Sequence, residues 1–128
     1  MAWQVIVNVS RDALRAMTKD KVLRENKKWF FRQIEQLKIA AENEGRPNDR
    51  PSETIGGFFV CPRGDALRIA YTFERDEANK KVTVFICEFM AHDGNEYRTP
   101  RSNNWIAAAK AQRITRSTYE PYDAWDRA

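Results

Sequence analysis

"ALRIAYTFERDEANKKVTVFICEFMA" (66–91) contains two runs of different grain. In the first, Leu67, Ile69, Tyr71 and Phe73 alternate with Arg68, Ala70, Thr72 and Glu74. Alternation of period two puts the first set on one face of a strand and the second on the other. The second run, from Val82 to Ala91, is apolar at nearly every position, as a central strand covered on both faces would be. The polar stretch "RDEAN" (75–79) between them is short enough for a hairpin connection. An antiparallel pair, 66–74 with 80–91, is expected to form the middle of a sheet.

Upstream, "GFFVCP" (57–62) reads as a further strand, joined to the pair through "RGD" (63–65). "AWQVIVNV" (2–9) is rich in Val and Ile and reads as a strand as well. Ser10 can cap a helix over Arg11–Met17, and Thr18 offers a break and a second cap. From about Asp20 to Glu44 the pattern is helical, with Phe30, Ile34, Leu37 and Ala41 forming one apolar stripe widened by Trp29. Gly45 and Pro47 end it. "GRPNDRPSETIGG" (45–57) is the one long loop. Downstream, "NNWIAAAKAQRI" (103–114) reads as a C-terminal helix, followed by a polar–aromatic tail with Tyr119, Tyr122 and Trp125. The tail could dock on a partner or fold back onto the body.

The expected class is α+β: an antiparallel sheet of about four strands, an N-terminal helical pair on one face and a C-terminal helix. The helix stripe packs on the 67/69/71/73 face. The opposite face then presents Arg68 between small neighbours, which suggests a concavity. A chain of 128 residues makes one domain. Its 22 Lys and Arg against 18 Asp and Glu give a net charge of +4, which permits an anionic partner without requiring one. No run approaches a membrane span and no leader pattern is visible, so a cytoplasmic protein without membrane partner is expected. Cys61 and Cys87 lack metal spacing and read as reduced core residues. No cofactor motif is present, and no cofactor is expected.

The segment "GDALRIAYTFERDEANKKVTVFICEFMAHDGNEY" (64–97) resembles the RelE/ParE-like toxin superfamily, which includes ribosome-dependent mRNA interferases. The likeness lies in a glycine-containing turn, an Arg–aliphatic–x–Tyr strand, a Val-rich strand, a histidine-bearing turn and a tyrosine beyond it. The resemblance implies an mRNA endoribonuclease working on translating ribosomes by general acid–base phosphoryl transfer, with RNA and the ribosome as partners and a cognate antitoxin. By the same resemblance Arg68, His92 and Tyr97 are the catalytic candidates. Arg68 would clamp the scissile phosphate, His92 would move a proton, and Tyr97 would stack on a base or assist. Arg63 and Arg98 flank them as candidate substrate-binding residues.

Each residue also has a plainer reading. Arg68 can pair with Glu74 or Glu88 across the sheet, His92 can sit as a surface turn histidine, and Tyr97 can shield a sheet edge. The strand "GFFVCPRG" lacks the basic residues that members often carry there. Glu88 and Glu96 are the remaining candidates for a second base. The alternative is therefore a non-enzymatic RelE/ParE-fold binding or inhibitor protein that recognises a protein or nucleic-acid partner. A small immunity-type protein of convergent α+β fold is a third class.

Overall fold

The structure, a computed structural model, describes residues 2–47, 53–55, 58–61, 66–93, 96–98 and 119–124, with backbone alone at 53–55, 92–93, 96–98 and 124. The expected C-terminal helix at 103–114, the Arg63 turn and Trp125 lie outside the described residues. The fold is α+β, and the seven strands among the described residues form one mixed sheet.

The strands are β1 Gln4–Ser10, β2 Glu53–Ile55, β3 Phe58–Cys61, β4 Leu67–Asp76, β5 Lys81–Asp93, β6 Glu96–Arg98 and β7 Tyr119–Pro121. Their order across the sheet is β2-β3-β4-β5-β1-β7, with β6 paired to β5. The β4–β5 pair is antiparallel, as its alternation predicts, and runs from Leu67↔Ala91 to Asp76↔Lys81. Strand β1 departs from the all-antiparallel expectation, because it lies parallel to β5. The register explains the match. Val5 faces Val82, Val7 faces Val84 and Val9 faces Ile86, so β-branched side chains meet across the junction. A second difference falls in the loop 45–57, where Glu53–Ile55 pairs with β3.

Three helices fill the connection between β1 and β2: α1 Arg11–Lys19, α2 Lys21–Glu25 and α3 Lys27–Glu44. The Ser10 hydroxyl accepts from Ala13 N at 3.3 Å, so the expected first cap is present. The second cap is Asp20, whose carboxylate accepts from Leu23 N at 3.0 Å. Thr18 instead donates its hydroxyl to Arg15 O. The helix expected over 20–44 is broken at Asn26, whose side-chain amide donates to Val22 O at 2.7 Å. A polar side chain that binds the preceding turn competes with continuation of the helix.

The stripe Phe30, Ile34, Leu37 and Ala41 is buried with Val7, Val9, Ile69, Tyr71 and Phe89 in the main core. The Phe30 and Phe89 rings meet edge to face at 5.0 Å. Gly45 closes α3 with φ +77°, and its backbone passes so near the Trp3 indole that a Cβ there would lie 2.5 Å from the ring. Both facts require glycine. Trp3 in turn receives the Arg75 guanidinium and the Lys80 ammonium, each 4.6 Å from its centroid. The indole thus ties the end of α3 to the β4–β5 turn.

The tail folds back onto the body. Strand β7 pairs antiparallel with the free edge of β1. Tyr122, 2% exposed, packs edge to face on Phe31 and donates its hydroxyl to Phe31 O at 3.5 Å.

Candidate functional site

Strand β4 carries Arg68 toward the face of the sheet away from the helices, as its alternation requires. That face is not an open concavity. Phe58, Val60, Ala70, Phe85, Cys87, Met90 and Tyr119 form a second apolar cluster there. Arg68 is 6% exposed and Glu88 is fully buried. Cys61 and Cys87 are both buried and outside any disulfide, as expected.

A β-bulge in β5 brings these two residues to one face. The register runs Tyr71↔Ile86 and then Ala70↔Glu88, so Cys87 is the extra residue. Before it, Val82, Val84 and Ile86 point into the helix-covered core. Strict alternation would send Glu88 after them. The extra residue shifts the phase, so Phe89 enters that core while Met90 joins the second cluster. Glu88 lies opposite Ala70, diagonal to Arg68, which faces Met90. Diagonal positions on one face of an antiparallel pair are about 7–8 Å apart, within reach of long side chains.

The Glu88 carboxylate accepts from Phe89 N at 3.2 Å. The Arg68 guanidinium donates from Nη1 to the Leu67 carbonyl at 3.2 Å, while its Nε has no partner among the described residues. Of the two carboxylates expected as Arg68 partners, Glu74 is exposed, toward the other end of β4. Glu88 is the one on the buried face. Burying charge is costly unless it is compensated, and the contact the Arg68 guanidinium makes among the described residues is with the Leu67 carbonyl.

On the helix-covered face, the Tyr71 hydroxyl is buried with no partner among the described residues. Burial, with the Cys61 thiol adding to it, pushes this phenol far above its ordinary range, so it stays protonated.

The histidine expected in a turn lies within β5. His92 pairs with Tyr97 of β6, Ala91 pairs with Arg98, and His92 follows Met90 by two positions. The backbone positions of Arg68, His92, Tyr97 and Arg98 therefore gather at one end of the β4–β5–β6 ladder. The side chains of His92, Tyr97 and Arg98 lie outside the described residues, as does all of Arg63. Strand β6 has no signal in the sequence, because "EYR" is too short to carry a period.

No family model, no curated protein and no solved structure matches this chain. Among the described residues, no helix is long and apolar enough to cross a membrane.

Proposed function

We propose that this chain is a RelE/ParE-like domain that recognises a nucleic-acid or protein partner without cutting it. The observation that carries this reading is the burial of Arg68. A phosphate clamp has to meet its ligand where the ligand can enter. A guanidinium that is 6% exposed, bonded to its neighbour's carbonyl and set on one face with Glu88, is built into the sheet. The resemblance itself rests on the motif at 64–97 and on a strand, helices and a strand meander in that order.

The second reading is an mRNA interferase acting on ribosomes, held in check by an antitoxin. The convergence of Arg68 with the backbone positions of His92 and Tyr97 favours it. In that reading Arg68 steadies the phosphate, and His92 or Tyr97 moves protons.

Induced expression in a bacterial host, with primer extension on ribosome-bound mRNA, separates the two. The variants are Arg68→Met, which keeps the buried volume, and His92→Ala, each confirmed as folded by circular dichroism. The binding reading predicts intact mRNA with wild type and both variants. Cleavage by wild type that falls about 100-fold or more in Arg68→Met, and about 10²–10⁴-fold in His92→Ala, replaces it with the nuclease.

A further inference from the structure

The charge of this chain is unevenly placed. Residues 11–32, the span of α1, α2 and the start of α3, hold eight Lys or Arg against three Asp or Glu, a net +5. The rest of the chain holds fourteen against fifteen, a net −1. The positive excess therefore sits in residues 11–32, the first part of the helical layer, away from the buried Arg68.

Within that layer the cations converge at the α2–α3 junction. A surface hollow of about 550 Å³ is lined by Arg24, Lys27, Lys28 and Arg32, with Glu25 as its one acid and the Trp29 indole beside them. Arg24, Lys28 and Arg32 are exposed, and Trp29 is half-buried, with its ring edge to face against Phe30. The ion pairs seen among the described residues join Arg11 to Glu120, Arg15 to Asp12 and Arg75 to Glu77. None of these uses Arg24, Lys28 or Arg32, and the Lys27 ammonium lies 5.8 Å from the Phe31 ring centroid.

The arrangement works against helix stability. Lys28 and Arg32 stand four apart on α3, where like charges repel. The first turn of α3 has no acidic residue to offset its two lysines, which oppose the helix dipole. A bound polyanion relieves both conflicts.

We propose that the α2–α3 junction binds a single strand of nucleic acid through its phosphates. The inference rests on the binding reading and names the ligand class and its site. Four cations along one hollow suit successive phosphates. An aromatic ring among them suits the base face that an unpaired strand offers and a duplex keeps stacked. An acidic protein segment would satisfy the cations but leave the indole without a flat partner.

Fluorescence anisotropy with the purified full chain tests this. The probes are a labelled 12-nucleotide RNA, DNA of the same sequence, the corresponding duplex and a poly-glutamate peptide. Both single strands, or the RNA alone, are expected to bind most tightly. The logarithmic salt slope should approach about −3, at about −0.7 for each of four phosphates. Lys28→Glu combined with Arg32→Glu should weaken binding tenfold or more and halve the slope, with Lys38→Glu as the control outside the hollow. Thermal melts confirm that the variants fold, and Lys28→Glu alone supplies a milder version. No binding, tighter binding of duplex or poly-glutamate, or an affinity unchanged in both charge-reversal variants overturns the proposal. A denaturing gel of the same samples keeps the two readings apart. Bound but cut RNA refutes the non-cutting reading and leaves the site standing; intact but unbound RNA does the reverse.

Discussion

The face of β4 and β5 that meets the helices is filled by Ile69, Tyr71, Val84, Ile86 and Phe89, against Phe30 and Ile34. The opposite face is also closed, around Phe58, Val60, Phe85 and Met90, but it holds Arg68 and Glu88 as well. The helix-covered face carries one buried hydroxyl with no partner among the described residues, on Tyr71; the other carries an arginine Nε in the same condition. Two closed faces of one strand pair can thus solve different problems. One is packing, with its polar atom incidental. The other encloses an arginine and a glutamate, and a β-bulge brings them to the same side.

Truncating a large apolar side chain on each face gives the largest expected effects. Phe89→Ala should cost about 3–5 kcal/mol and Met90→Ala about 2–5 kcal/mol, each leaving a cavity in a filled cluster. Urea unfolding of the two variants measures this. A Met90→Ala cost below about 1 kcal/mol would mean that the second face is loosely packed, and the comparison would fail.

A smaller effect is expected from Tyr71→Phe. Removing a buried hydroxyl that has no partner among the described residues should raise stability by about 1 kcal/mol. The effect has a pH signature. Because burial keeps the folded phenol neutral above its ordinary range, folding loses no stability through it below the unfolded value of about 10 and loses stability as pH rises past that value. Wild type should therefore weaken above pH ~10 more steeply than Tyr71→Phe. Parallel profiles would show that the hydroxyl reaches water.

The smallest effect lies outside both faces, at the exposed turn joining the two strands. Asp76 accepts from the Asn79 side chain at 2.8 Å and from its backbone N–H at 3.2 Å. The side-chain bond, then the backbone one, holds its carboxyl below the usual value. Its contribution is therefore present above about pH 4 and lost as pH falls through the lowered folded value. The urea midpoint gap between wild type and Asp76→Asn should shrink between pH 5 and pH 2.5. A gap that stays constant removes the turn bond from the account.

Local chemistry made much of this fold legible. The Ser10 cap, the Gly45 stop, the 30/34/37/41 stripe and the 67/69/71/73 face each depend on residues close in sequence, where periodicity and capping act. Two structural facts did not follow from such signals. Strand pairing joins segments far apart, so nothing local in "AWQVIVNV" distinguishes a parallel neighbour of β5 from an antiparallel one. The bulge at Cys87 leaves no mark in a run that is apolar on both faces, since a phase shift is visible only where the two faces differ.

The candidate site divides in the same way. By itself the sequence determined the residue types: an arginine in a Tyr-bearing strand, the chain's one histidine, and the run of cations from Arg11 to Arg32. Tertiary structure alone decided that Arg68 is enclosed with Glu88 while Arg24, Lys28 and Arg32 remain at the surface. The physical reason is that exposure belongs to the assembled layers. A strand has two equivalent faces until something covers one of them, and here both faces of β4 are covered, whereas the outer face of the helical layer is not.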